Sequence, residues 1–453
     1  MSFRLAARPW PIAALSVLAL ISPADAETLT YGVDAGLGES DNITLVPTNK
    51  VSQTMAVADV DFDFKQLSRR LDVDAKGNFS YLDYIQGAYS GQLIGRFDGA
   101  AHLALIPQRL TWVLQDDFGQ TAVDPFAPLT PGNLENVNYV STGPDLALRL
   151  GGTGFLNMSA RVARAEYETS PFNSNRLLGS FAWGLHLSAQ SSVSLNGDTE
   201  RVLFENTVVN TDFERTNAFL RYEVQGARTG FSADLGATRV SQGEQPTTGP
   251  LARISLSRKL SSASQLTLSL GRDLTDGSTS FSTLQSGAIG VVGTAPAVLT
   301  SASYTNEYGS VGWQFERNRT TANVSARWEK DVYNGAPQFD VTRRGAEFRV
   351  QRQITRALSA EIFGRFYKTV YLNPITAFTL LNGSVNFDDE LIGGGLTWRH
   401  GRGLEVKLRV GRSDSITPGV DAGYRENRVF LTVGYRPFVL RPSDNPDAYT
   451  LQK

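Results

Sequence analysis

The sequence predicts an all-β chain: a transmembrane, antiparallel, up-and-down β-barrel of about 20 strands, with 18 as the alternative. Three observations predict it. Apolar and polar residues alternate with period two along most of the chain. The connections between alternating segments are short and long by turns. No apolar run beyond the first 26 residues is long enough to cross a bilayer as a helix.

The first residues read as a targeting segment. Arg4 and Arg8 give a positive start, 10–21 is an apolar run containing Pro11, and Pro23-Ala24-Asp25-Ala26 offers small residues to a signal peptidase. A membrane anchor is the alternative, but the run is shorter than the roughly 20 residues a spanning helix needs. Cleavage after Ala26 leaves 427 residues from Glu27 onward. The expected organisation is a signal peptide over 1–26, a single barrel domain over 27–438 and a polar tail over 439–453 that carries Pro442 and Pro446.

Composition fits that reading. The chain has 42 Gly, 24 Phe, 15 Tyr and 6 Trp, with a negative mean hydropathy. A barrel strand is apolar on one side only, so its average polarity stays high. The absence of cysteine excludes a disulfide framework and thiol chemistry. A formal net charge of −2 gives no reason to expect nucleic acid as a partner.

The alternation is explicit segment by segment. In 58–65, Ala58, Val60, Phe62 and Phe64 alternate with Asp59, Asp61, Asp63 and Lys65. In 71–81, Leu71, Val73, Ala75, Gly77, Phe79 and Tyr81 alternate with Asp72, Asp74, Lys76, Asn78 and Ser80. Segments 218–224, 322–328, 404–410 and 429–435 repeat the pattern. Twenty segments begin near Thr28, Met55, Arg70, Tyr89, Leu110, Tyr139, Phe155, Arg176, Ser192, Asn217, Gly230, Leu251, Gln265, Asn306, Thr321, Gly345, Leu358, Leu391, Leu404 and Asn427. Short connections such as 66–69, 106–109, 151–154 and 401–403 lie between longer ones such as 121–138, 275–301, 373–387 and 414–424. An even count puts both chain ends on the short-turn rim.

Trp112, Trp183, Trp313 and Trp398 all fall on the apolar face near that rim. Indoles favour the headgroup level, where the ring is apolar and the N–H reaches water. Hydrocarbon gives a free sheet edge no hydrogen-bond partner, so the first and last strands must pair. Tyr435 and Phe438 stand near the end of the last strand, as in the aromatic C-terminal signal read by barrel assembly machinery, although 439–453 extends past it.

Several stretches carry a family resemblance: Asp41-Asn42-Ile43 with Pro47-Thr48-Asn49-Lys50, Leu114-Gln115-Asp116-Asp117-Phe118-Gly119-Gln120, Thr130-Pro131-Gly132-Asn133, Asn136-Val137-Asn138-Tyr139 and Ser141-Thr142-Gly143-Pro144-Asp145. On these the mature chain resembles the outer-membrane β-barrels found with exopolysaccharide and exosortase loci, of the β-barrel porin 2 type. The resemblance implies an outer-membrane location and a polysaccharide-related setting. It supplies no catalytic residue.

The candidate site is the lumen wall. Asp59, Asp61, Asp63, Asp72 and Asp74 are expected to point inward on early strands, and Arg343, Arg349, Arg399, Lys407 and Arg409 on late ones. Closure brings the two sets side by side and sets a field across the lumen; the competing reading is a solvated wall of weak ion pairs. Asp59-x-Asp61-x-Asp63 is no calcium loop, because Phe64 stands where the loop needs Gly and Arg70 where it needs a carboxylate. His102 and His186 face the lumen on different strands and His400 lies at a short turn, which is no arrangement for nucleophilic catalysis. Gly287, Gly290 and Gly293 neither follow a strand nor open a helix, so they form no phosphate cradle. An inward fold of 275–301, burying 289–292, would constrict the pore.

Three functions compete on this reading. The first is a channel for polar solutes or exopolysaccharide. The second is a non-conducting scaffold barrel of a polysaccharide secretion system, and the third a barrel enzyme. No cofactor and no metal are expected. The expected partners are outer-membrane lipid, the barrel assembly machinery and polar solutes or polysaccharide.

Overall fold

The computed structural model describes residues 26–243, 245–285, 300–373, 386–401, 403–416 and 423–437. The targeting segment up to Asp25, Phe438, the tail over 439–453, Gly287, Gly290, Gly293 and the 289–292 patch lie outside the described residues.

Twenty antiparallel strands form one sheet that closes on itself. In chain order they are β1 Ala26–Ser40, β2 Gln53–Leu67, β3 Leu71–Tyr84, β4 Gln92–Ile106, β5 Leu110–Ala122, β6 Leu134–Leu150 and β7 Gly154–Tyr167. Then come β8 Ser174–His186, β9 Ser191–Phe204, β10 Phe213–Gln225, β11 Thr229–Gln242, β12 Gln245–Ser261 and β13 Ser264–Thr275. The last seven are β14 Tyr304–Arg317, β15 Thr320–Tyr333, β16 Val341–Gln353, β17 Leu358–Tyr371, β18 Asn386–His400, β19 Leu404–Ile416 and β20 Tyr424–Tyr435. Each strand pairs with its neighbours in sequence, and β1 pairs with β20 from Val33↔Tyr435 to Ser40↔Arg428. A helix not expected from the sequence, α1 Gly277–Gln285, follows β13. No described helix is long and apolar enough to cross a membrane.

Paired residues share a face, so the register fixes which side chains line up around the wall. One face carries Leu37, Leu195, Leu235, Ile362 and Leu431, with Leu235 at 66% and Leu431 at 53% exposure. These apolar side chains have nothing of the protein over them. Their neighbours in sequence, such as Asp34, Asp59, Asp234 and Arg409, pair on the other face. A closed sheet with an apolar exterior and a polar interior is the arrangement that hydrocarbon permits.

The strands run to 12–17 residues, whereas a tilted strand needs only about 9–11 to cross the hydrocarbon. The surplus stands at the long-loop end, and there the faces exchange character. On β6, Val137 and Tyr139 point inward and are buried, while Asn136 and Asn138 face outward. On β16, Val341 is buried inside while Thr342 and Arg344 face out. The same inversion gives inward Tyr167, Phe204, Phe213, Tyr304, Tyr333 and Tyr371. The upper wall therefore behaves like a water-soluble collar packed around an apolar core, and among the described residues four clusters build it. One joins Phe126, Tyr304, Tyr333, Val341 and Tyr371. A second joins Val137, Tyr139, Tyr167 and Phe281. A third joins Val202, Phe204, Phe213 and Leu274, and a fourth Ile43, Met55, Val57 and Tyr84.

Candidate functional site

The candidate site is the lumen together with the segments that fold across its long-loop end. Among the described residues, two connections make that crossing. The β5–β6 connection carries Phe126, which packs on Tyr371 of β17 with ring centroids 4.7 Å apart and stacks on Phe339 at 5.7 Å. The Tyr371 hydroxyl donates to the carbonyl of Pro125 at 3.1 Å. Strands β5 and β17 are far apart around the ring, so this contact spans the mouth.

The second crossing is the strap that leaves β13. Its helix α1 reaches β5, eight strands away around the wall. Three contacts seat it. Phe281 enters the Val137–Tyr139–Tyr167 cluster, Ser278 shares a hydrogen bond with the Tyr167 hydroxyl at 2.7 Å, and Ser280 shares one with the Tyr304 hydroxyl at 2.5 Å. The described part of 275–301 thus turns into the lumen.

A buried ionic network pins the start of the strap. Arg176 on β8 has a fully buried side chain, and its Nη2 lies 2.6 Å from Asp276 Oδ2. Its Nη1 donates to Asp276 Oδ1 at 3.1 Å, to Glu200 Oε1 at 2.9 Å and to Thr279 Oγ1 at 3.1 Å. Arg215 closes the set, with Nη2 on Glu200 Oε2 at 2.5 Å and Nη1 donating to the carbonyl of Leu274 at 2.9 Å. Two guanidiniums face two carboxylates, so the charges balance where water is excluded. Burial alone would raise the Asp276 carboxyl, but the Arg176 charge and hydrogen bond, with help from Arg215 and Thr279, bring it down to about 2.

The inward face of the wall is charged and sided. Inward on β1–β5 are Asp34, Asp59, Asp61, Asp63, Asp72, Asp74, Asp98 and Asp117, against Lys65, Lys76 and Arg96. Inward on β16–β20 are Arg343, Arg349, Arg365, Arg399, Lys407, Arg409 and Arg428, against Glu347, Glu361, Asp389, Glu405 and Glu426. The two walls meet at the β20–β1 seam. There Lys407 Nζ lies 2.6 Å from Asp34 Oδ2 and 3.3 Å from Glu405 Oε2. Arg436 pairs with Asp61, and Arg399 with Glu405. Asp74 is shared by Lys65 and Lys76, both at 3.4 Å.

The other candidates fall into different surroundings. Arg349 and Arg409 share Glu361 at 3.6 and 2.9 Å, and both lie over the Phe363 ring. A matching clamp stands on β10–β12, where Arg221 and Arg253 share Asp234 at 2.7 and 3.1 Å over the Phe219 ring. The sequence reading did not single out this second clamp. Arg343 points inward but belongs to the collar, held by Glu329 at 2.8 Å and by Asp331 at 3.2 Å, whose side chain is fully buried. It lines no water. His102 and His186 lie on the inward face, and the His186 ring packs on Phe155 at 5.0 Å.

On the outer face, register aligns Trp112 with Leu103, Trp183 with Leu195, Trp313 with Leu266 and Trp398 with Val406. The four indoles are the third to fifth residues counted from the short-turn ends of their strands. Trp112 Nε1 donates to Thr142 Oγ1 and Trp313 Nε1 to Ser264 Oγ, each at 2.8 Å.

No family model matches the chain, and no curated protein does. Among solved structures the chain is similar to the FrpB iron transporter from Neisseria meningitidis (F3-3 variant), with a TM-score of 0.48 and 10% identity over 93% of this chain and 83% of that one. It is similar to the siderophore receptor PirA from Pseudomonas aeruginosa, with a TM-score of 0.43 and 10% identity over 91% and 81%. The copper transporter OprC gives 0.43 and 11% over 92% and 84%. Likeness at this level says nothing of cargo.

Proposed function

We propose that this chain is an outer-membrane channel for polar solutes, with helix α1 folded across the long-loop end of its lumen. The observation that carries the reading is the Arg176–Asp276 pair. A scaffold barrel needs a wall, but it does not need a segment folded through its own lumen and pinned by a buried, charge-balanced network. Short turns at one rim and long connections at the other orient the strap toward the cell exterior in an outer membrane.

An extended polysaccharide is the cargo we favour. The resemblance to barrels of exopolysaccharide loci supports it, and so does a hydrated lumen rich in donors and acceptors on both sides. Planar-bilayer recording tests the proposal. Wild-type protein should open rarely, and Asp276→Ala should open often and with larger conductance. Silence from both proteins would favour the non-conducting scaffold.

A further inference from the structure

The lipid-facing side of the wall holds a second feature, independent of the lumen. Trp112, Pro144, Ala160, Gly179 and Thr199 form one row across β5–β9. Register pairs Trp112 with Pro144, Ala160 with Gly179, and Gly179 with Thr199. Pro144 meets Ala160 where β6 and β7 lack two bridges, between Thr142↔Val162 and Asp145↔Ser159. Proline has no N–H to give that ladder. Apart from Trp112 these side chains are small, and bulky Val162 and Leu177 rise alongside. The result is an apolar groove of about 520 Å³.

Both ends of the groove are defined. At one end the Trp112 indole is fixed by Thr142, whose hydroxyl in turn donates to the carbonyl of Val113 at 2.9 Å. At the other end stands Arg201. Strands in a barrel tilt, so a row followed from strand to strand climbs the wall. Trp112 is the third residue of β5 from the short-turn rim, whereas Arg201 lies near the long-loop end of β9. Arg201 and Arg239 are exposed on this outer face, and among the described residues neither has a carboxylate within 4.0 Å. Glu214 faces Arg201 across the register and offsets one of the two charges. Arg164 on the same face is taken up by Glu166 and Glu205 at 2.6 and 2.9 Å, so Arg201 and Arg239 are the guanidiniums that can meet a phosphate above a groove shaped for a hydrocarbon chain.

We infer that this groove holds an acyl chain of a phosphorylated glycolipid of the outer leaflet, of the lipid A kind, with its phosphate on Arg201 and Arg239. A phosphatidylethanolamine phosphate carries its own ammonium beside it, whereas a lipid A phosphate presents its charge without one. A guanidinium binds phosphate through paired N–H donors.

Native mass spectrometry of the full barrel, purified from outer membranes in mild detergent, tests the inference, with lipid A and phosphatidylethanolamine as the added probes. Gly179→Phe and Ala160→Phe fill the groove from the lipid side. A Cβ at Gly179 meets Thr199 Cγ2 at 3.7 Å and the Ser159 carbonyl oxygen at 4.0 Å, both ordinary contacts, so the wall tolerates it. Heat-modifiable gel mobility selects folded barrels. Wild type should retain lipid A through detergent exchange, and both filled variants should lose it. Arg201→Gln should weaken retention roughly tenfold, the loss expected for one charge-assisted hydrogen bond. Equal retention by all folded variants would overturn the inference, as would preference for phosphatidylethanolamine or a dimer formed through this face.

Discussion

Asp276 and Arg176 stand 100 positions apart in the chain and meet at 2.6 Å behind a wall of protein, one on the strap and the other on β8. Neither residue explains itself alone. Arg176 is an unaccompanied cation in a strand, and Asp276 a single acid after another strand. Together they hold a lumen-crossing segment against the barrel.

Removing one partner strands the other charge where water cannot reach it, which costs about 3–5 kcal/mol. Asp276→Ala should therefore undock the strap without opening the sheet. The check is limited proteolysis of folded, lipid-embedded protein. Wild type should resist cleavage within 276–285, and Asp276→Ala should be cut there while keeping its heat-modifiable mobility.

Acid should not release the strap until the pH is very low. An unfolded Asp titrates near pH 3.9, and the docked Asp276 is held at about 2. A depressed value means the docking energy is fully present above the unfolded value and is lost as pH falls through the docked one. Conductance should stay flat from pH 7 to about 4 and rise only below that. A rise centred near pH 6 would assign the gate to another group.

The two arginine clamps make a prediction about ion selectivity. Asp234→Asn leaves Arg221 and Arg253 in place, with side chains 39% and 31% exposed, and removes the carboxylate they share. At that exposure the stability change should be within about 1 kcal/mol. The reversal potential in a salt gradient should shift toward anion preference. An unchanged potential would place the clamp off the conduction path.

Stability should depend on which face a new charge enters. Phe181 and Ser180 are neighbours near the middle of β8, Phe181 outward and Ser180 inward. Phe181→Arg should destabilise the barrel by about 2–4 kcal/mol, the cost of arginine at the lipid-facing midplane. Ser180→Arg should change it far less. Urea unfolding in lipid vesicles measures both.

The strand count was legible because alternation marks every span that touches lipid. The strand ends were not legible where the collar begins. The sequence suggests starts at Tyr139, Leu251 and Leu391, whereas β6, β12 and β18 begin at Leu134, Gln245 and Asn386. In each case the missed residues lie at the long-loop end. Glu135, Val137 and Tyr139 turn inward there while Asn136 faces water, so the apolar face changes sides within one strand and the period loses its phase. Tyr89 was drawn into β4 for a related reason. It is an aromatic of the β3–β4 connection that packs on Tyr84 at 5.7 Å. Which charged residues face inward was legible from parity, but not that Arg343 sits among the collar residues, paired with Glu329 and Asp331. Helix α1 and the Arg176–Asp276 pair were not legible, because nothing local to Arg176 indicates a partner 100 residues away.

Because the chain contains no cysteine, single-cysteine labelling across β8 tests the central claim most directly. In lipid vesicles, Ser180→Cys and Ala182→Cys should react with a small, charged thiosulfonate that enters the lumen. Phe181→Cys and Trp183→Cys should be shielded from it and react instead with a lipid-soluble maleimide. Uniform labelling along the strand, or the opposite alternation, would contradict a barrel with water inside and lipid outside.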